Sequence, residues 1–365
     1  MTKCIIPNTV RLSTTDFSDA FKGCNKLEMV FLPNAITNLV RTFVDCTNLT
    51  TAVCGDNVTN MAHAYQNCTN LTTAVCGDNV TDMFYAYHNC YKLTTSVCGD
   101  NVTNMYQAYC NCYNLTIAVC GPNVTNMINT YRNCHNLTTA VCGDNVTHMS
   151  NTYYDCYKLT TAVCGPKVTG MNSTYSNCHN LTTAVCGNNV TSMKDTYYNC
   201  TNLTTAVCGP NVTTMYQAYY NCTNLTTAVC GPNITIMYQA YYNCHNLTTA
   251  ACGPNVTNMR DAYCNCKNIQ GNTYFYSNQI SSVRNCFYNR NTSNRLNIYV
   301  HAGTTTNTTV MTTNTYSLVG ATITWTTDTT NNCRYNTARN IYIYYVANVD
   351  AARIANGDPD YMGNI

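Results

Sequence analysis

Apolar residues recur along this chain on two different periods inside one short unit. In the stretch 47–68 they fall at Leu49, Ala52, Cys54, Val58, Met61, Ala64, Tyr65 and Cys68. From Ala52 to Cys54 the period is two, which predicts a short strand with alternate side chains facing a core. Met61, Ala64, Tyr65 and Cys68 stand at offsets 0, 3, 4 and 7, one face of a helix of about two turns. Gly55 followed by Asp56, or elsewhere by Pro122, predicts the turn leaving the strand, with glycine supplying positive φ. Thr59 or Asn60 is placed to cap the helix.

The unit repeats without a break. Cys24, Cys46, Cys68, Cys90, Cys112, Cys134, Cys156, Cys178, Cys200, Cys222, Cys244 and Cys266 are spaced by 22 residues, which makes twelve units. A second column begins at Leu32 and continues as Cys54, Cys76, Cys98 and onward to Cys252, so cysteine stands where an aliphatic can. One such unit cannot bury its own apolar face, and stacking must do it. The predicted fold is an α/β solenoid with one short parallel strand and one short helix per repeat, a rod of roughly 55 Å at ~4.8 Å per strand. The expected organisation is an N-terminal capping segment over 1–23, the solenoid over 24–270, a β-rich C-terminal cap over 271–350 and a loose tail over 351–365. The cap rests on the alternating segments "RLNIYV", "ATITWTT" and "NIYIYYV". The break in period rests on Cys286, which follows Cys266 by 20 residues and predicts a degenerate closing unit.

The columns Leu49, Ala52, Cys54, Val58, Met61, Tyr65 and Cys68 resemble the BspA-like leucine-rich repeat. That family usually has isoleucine at the two strand positions and at Met61, with Ala-Phe at Ala64 and Tyr65. Early units are closer still, since "FLPNAI" and "RTFVDC" restore its Pro33 and Phe43. The resemblance covers about residues 4–270, and "RLNIYVHAGTTTNTTVMTTNTYSLVGATITW" resembles the closing element of the family, ending at Trp325. It implies a leucine-rich-repeat fold and, most often, a bacterial surface adhesin. The departure is the wholesale use of Cys and Met for Ile.

Charge narrows the function classes. The net charge is +2 and only 9% of residues are charged, so there is no basic stripe for nucleic acid. No run of about 18 apolar residues predicts a membrane span, and the first 20 residues lack the apolar core of a signal peptide. N-x-T sequons such as those at Asn70 and Asn79 recur at one rung spacing, too dense for glycans, and read as accidental.

Cysteine is the candidate chemistry, with 27 thiols. Within a column the Cβ vectors run parallel, which disfavours disulfide ladders. Cys54, Cys68, Cys76 and Cys90 read as core thiols, with bridges from Cys76 to Cys68 or Cys90 as the alternative. The spacing offers no metal site and no cofactor motif, "CNC" at Cys110–Cys112 and Cys264–Cys266 being the nearest approach; Cys110 and Cys264 read as exposed. His135 and its equivalents after the repeated Cys read as solvent-facing at a turn. No nucleophile, base and orienting carboxylate gather, so no catalytic residue is predicted and the chain reads as non-enzymatic.

Two surfaces remain as binding candidates. One is an uncharged ladder on the sheet face: Thr51 and Val53, Thr73 and Val75, Thr95 and Val97, Thr139 and Val141, Thr227 and Val229. The other is a set of tyrosines on the helix face: Tyr106, Tyr154, Tyr198, Tyr220, Tyr238 and Tyr242. Tyrosine gives a large contact area at low entropy cost, suited to a protein or carbohydrate surface. The preferred expectation is a virion surface component of a bacteriophage, in a homo-oligomer or larger assembly. A bacterial surface adhesin is the alternative, and an ice or crystal binder using the Thr-x-Val ladder the remote one.

Overall fold

A computed structural model describes residues 2–9, 11–161, 163–302, 318–319 and 325–358. The chain forms two compact units, residues 1–180 and 181–365, and within each unit successive repeats stack as rungs.

The backbone of a rung explains why the expected helix does not form. Met61, His63, Tyr65 and Asn67 donate their N–H groups to the carbonyls of Asp82, Phe84, Ala86 and His88 on the next rung, at 2.7–2.9 Å. Between them, Ala64, Gln66 and Cys68 donate back to Met61, His63 and Tyr65 at 2.9, 3.3 and 3.1 Å. An α-helix would send each of these N–H groups four residues back. Alternation between a local turn and the next rung requires two left-handed residues per repeat, here His63 at φ 57° and Asn67 at φ 63°. Most rungs carry Asn at the second of these positions, the side chain that tolerates this region best after glycine. The spacing of Met61, Ala64, Tyr65 and Cys68 does identify inward residues, all 0% exposed. It does so through paired turns, not a helix. Asn60 still caps the segment, its Oδ1 accepting from the Ala62 N–H at 2.8 Å.

The expected strand is also cut short, for a different reason. Bridges form at Thr51–Thr73, Thr95–Ile117 and Ile117–Thr139 and stop short of the following cysteine, whereas Cys252 bridges Phe275 at the last rungs. The hydroxyl of Tyr65 enters there, accepting from the Val53 N–H at 2.9 Å and donating to the Val53 carbonyl. Tyr109 does the same to Val97, at 3.1 and 2.6 Å. These are the groups that a parallel ladder would pair between rungs.

Inside each unit the phenol rings themselves stack. In the first, Phe21, Phe43, Tyr65, Tyr87, Tyr109, Tyr131, Tyr153 and Tyr175 follow one another at centroid distances of 5.1–5.8 Å. In the second, Tyr197, Tyr219, Tyr241, Tyr263 and Phe287 do so at 5.3–5.7 Å. The repeated glycine is held by close approach and not by positive φ: a Cβ on Gly99 would meet the Gly77 carbonyl oxygen at 2.9 Å and Cys76 Sγ at 3.3 Å.

The ends of the repeat register differ from expectation. In the first unit β1 (Lys3–Ile5) pairs in parallel with β2 (Met29–Phe31), and Phe17, Asp19 and Phe21 donate to Asn38, Val40 and Thr42, so the expected capping segment already follows the rung pattern. In the second unit a rung continues past 270, because Asp261, Tyr263 and Asn265 donate to Arg284, Cys286 and Tyr288. Its Asn side chains pair at an interval of 24 residues, so Cys286 leaves the cysteine column and Arg290 enters it. β3 (Gly271–Phe275), β4 (Leu296–His301), β5 (Thr326–Asp328), β6 (Cys333–Asn336) and β7 (Ile341–Val346) form one sheet in the order β3-β4-β7-β6-β5. β3, β4 and β7 run parallel, and β5 and β6 are antiparallel. Instead of a loose tail from 351, α1 (Val349–Ala355) forms, capped by Asn348. Asp358 beyond it accepts from the Asn272 side chain and the Tyr274 hydroxyl on β3. Much of the expected closing element, 303–317 and 320–324, and the end of the expected tail, 359–365, lie outside the described residues.

Candidate binding face

Most outward positions of a rung are consumed by rung-to-rung hydrogen bonds. Thr72 and Thr81 hydroxyls donate to the carbonyls of Thr50 and Thr59 one repeat earlier, at 3.1 and 3.2 Å. Asn79 donates to the Asp56 carbonyl at 2.8 Å. Asn89, Asn111 and Asn133 form a ladder in which each amide donates to the preceding Oδ1 at 2.6–2.7 Å.

Several columns escape this uniformity, among them those of Asn60, Ala62, His63, Gln66 and Thr69. They hold aromatic, basic and small residues in changing order, and the rings meet. In the first unit Tyr91, Tyr113, His135, Tyr157 and His179 stack at 5.0, 4.9, 4.7 and 5.4 Å. Beside them Phe84 stacks on Tyr106 at 5.2 Å, and the Arg132 guanidinium lies 5.0 Å from the Tyr154 ring centre. In the second unit Tyr198, Tyr220 and Tyr242 stack at 4.7 and 4.8 Å, and Tyr216 stacks on Tyr238 at 4.9 Å. Lys194 and Arg260 lie over Tyr216 and Tyr238 at 5.4 and 5.6 Å.

Each of the six tyrosines expected as contacts, Tyr106, Tyr154, Tyr198, Tyr220, Tyr238 and Tyr242, is thus half-buried and pressed against a ring or a cation. Burial pushes the Tyr220 and Tyr242 phenols upward. The stack of Tyr91, Tyr113, His135, Tyr157 and His179 was not singled out in the sequence. Its signal is there in the alternating Tyr and His that follow Cys90, Cys112, Cys134, Cys156 and Cys178.

The Thr-x-Val ladder lies on a separate face. Thr73, Thr95, Thr139 and Thr227 are exposed and Thr51 is half-buried; Val53, Val75, Val97 and Val229 are half-buried, while Val141 is 55% exposed. The cysteines divide by column. Cys68 and Cys90 are fully buried and donate Sγ–H to the Phe43 and Tyr65 carbonyls at 3.1 and 3.2 Å, while Cys54 and Cys76 are half-buried. Burial pushes the Cys54 thiol up to about 11 and that of Cys98 to about 12. Cys110 and Cys264, expected to be exposed, are 5% and 3% exposed although they stand in the outward column of Gln66, because the larger side chains of the next and preceding rungs, Arg132 and Tyr242, lie against them. Among the described residues no three His, Cys, Asp or Glu side chains surround a metal-sized space. No described helix is long and apolar enough to cross a membrane.

Stacked rungs of this kind define a leucine-rich-repeat protein. The model of the BspA type leucine rich repeat region matches residues 1–116, 107–226 and 193–316, and the chain belongs to that family. No curated protein matches it in sequence. Among solved structures it is similar to a leucine-rich repeat protein from Bacteroides ovatus, at 15% identity, covering 82% of this chain and 79% of that one, with a TM-score of 0.56. A leucine rich cell surface protein from Faecalibacterium prausnitzii aligns over 82% of this chain and 87% of its own, at 17% identity and a TM-score of 0.44.

Proposed function

We propose that this chain is a non-enzymatic binding protein of the bacterial-surface adhesin type, and that it engages a protein partner through its aromatic columns. One observation carries the reading: aromatic rings of successive rungs gather and stack in these columns, while many Thr and Asn side chains elsewhere are committed to ladders. Stacked rings at 4.7–5.4 Å cover one another's faces and present their edges and hydroxyls. A sugar that packs on an open ring face finds little room there, whereas a protein surface can meet edges, phenols and a nearby guanidinium. Family membership supports the surface setting. The virion setting draws no support from the family model or from the solved structures named above and is not carried forward. A homo-oligomer would multiply the face by avidity and is read by sedimentation of the same sample.

The test is retention of the labelled chain on host-cell layers before and after protease treatment, beside a glycan array. Retention should fall with protease, and in a Tyr198→Ser, Tyr220→Ser, Tyr242→Ser variant by about tenfold or more, as central aromatic contacts do. Protease-resistant retention that tracks the array, or full retention by the variant, overturns the reading.

A further inference from the structure

The half-open cysteine column has a sulfur neighbour that a search for closely spaced Cys and His misses. Seven residues after each of these cysteines stands a methionine, and the two sulfurs meet: Cys54 Sγ and Met61 Sδ at 3.8 Å, Cys76 and Met83 at 3.8 Å, Cys98 and Met105 at 3.6 Å. The series continues at Cys120 and Met127, 3.6 Å, and at Cys142 and Met149, 3.4 Å. We propose that these thiol and thioether pairs bind a soft monovalent metal ion, Cu(I) being the chemical class that such ligands select.

Three features favour this over simple packing. Metal–sulfur bonds of roughly 2.3 Å let one ion touch both sulfurs at this separation without moving the backbone. The inner thiols such as Cys68 donate to a carbonyl at 3.1 Å, whereas Cys54 Sγ accepts from the Gly77 N–H at 3.3 Å and has as acceptors only the Gly55 carbonyl at 3.6 Å and Met61 Sδ at 3.8 Å, so the outer sulfur is the more weakly held of the two. A cavity of about 260 Å³ opens beside the column, lined by Cys54, Cys76, Gly77, Asp56, Asp78 and Asn79 among others. Thiols of two successive rungs therefore share one entrance, and two carboxylates stand at it. The same carboxylates that oppose a thiolate favour a cation at that position.

Binding exchanges a proton for the ion: each coordinated thiol releases one H⁺ and forms one Cu–S bond, the thioether donates a lone pair, and copper stays monovalent.

The test titrates the reduced full chain, without oxygen, with Cu(I) against a chromophoric chelator, following backbone circular dichroism throughout. The wild type should withhold Cu(I) while remaining folded. Met61→Leu, Met83→Leu, Met105→Leu keeps every thiol and nearly all the core volume, and should lower the number of Cu(I) ions withheld by about three, the pairs at Met127 and Met149 remaining. Cys76→Ser should remove metal-dependent protection of its column from alkylation. Equal competition by the methionine variant, uptake only with loss of the circular dichroism signal, or equal uptake of Zn(II) overturns the proposal.

Discussion

The phenol that interrupts the strand gives the sharpest test of the fold. Tyr109 is 0% exposed, and its hydroxyl accepts from the Val97 N–H at 3.1 Å and donates to the Val97 carbonyl at 2.6 Å. Tyr109→Phe keeps the ring, and so its stacking on Tyr87 at 5.3 Å and Tyr131 at 5.6 Å, while leaving both backbone groups without this partner. An unmade hydrogen bond to a buried group costs about 1–3 kcal/mol. Val97 is half-buried, so water reaches part of the gap, and about 1–2 kcal/mol is expected. Because rungs open locally, the readout is native-state hydrogen exchange at the Val97 amide, which should speed up by roughly 5–30-fold. The Val229 amide, held by Tyr241 in the other unit, is the internal control. Unchanged or slower exchange at Val97 would refute the reasoning, because it would mean that the strand ladder closes once the hydroxyl is gone.

Asn111, at φ 65°, donates to Asn89 and accepts from Asn133, both at 2.6 Å. Asn111→Ala should cost about 2–4 kcal/mol in chemical denaturation, from a left-handed residue and two lost bonds; Asn111→Gly, which tolerates the backbone, should cost about 1–2 kcal/mol less than Ala. Burial raises the thiols of Cys46 to about 12 and Cys54 to about 11 from an ordinary 9.0. The folded state therefore holds protons that the unfolded state releases, so stability is intact below about pH 9 and is lost as pH rises towards 11–12. Denaturation midpoints across that window should fall, and a rising midpoint would contradict the burial. Arg290 is 7% exposed and donates to the carbonyls of Ile269, Asn291, Asn294, Arg339 and Asn340 at 2.5–3.3 Å. Arg290→Leu should cost about 2–4 kcal/mol and expose the terminal sheet to limited proteolysis, with no change in cleavage counting against a closing role.

What the sequence made legible was the set of inward positions and the family. Leu49, Val58, Met61, Ala64, Tyr65 and Cys68 were identified by spacing and are all 0% exposed. The backbone path between them was not legible. Offsets of 0, 3, 4 and 7 suit any compact turn that puts those side chains on one side, and the left-handed residues that exclude a helix are His63, Tyr85 and Gln107 as well as Asn. Tyr65 likewise counts as apolar in a periodicity, so the effect of its hydroxyl on Val53 could not be read from it. The register shift to 24 was hidden because Cys286 resembles the repeat cysteine while Arg290 takes its place. On the candidate face, the six tyrosines were visible one by one, but their stacking depends on which rung neighbours which column.

The low charge of the chain follows from the same stacking geometry. A residue repeated in every rung meets its own copy about 5 Å away, so it must be able to bond or pack with itself. Asn can, since its amide donates to the carboxamide oxygen of the preceding copy, and the ladder Asn89, Asn111 and Asn133 shows the result. Thr can through the backbone, Tyr through its ring, and Cys as a small apolar group. A column of like charges cannot: at about 5 Å each pair costs close to 1 kcal/mol even in water, and the cost recurs at every rung. Where charges do face each other across rungs they are opposite, as in Arg41 and Asp19 at 2.6 Å. Asp56, Asp78 and Asp100 are an exception: they form a run of three before Pro122 interrupts it, and the first two line the cavity beside the half-open thiols. A run of like charge that stacking disfavours, placed at a cavity lined by Cys54 and Cys76, is the arrangement that a bound cation would relieve.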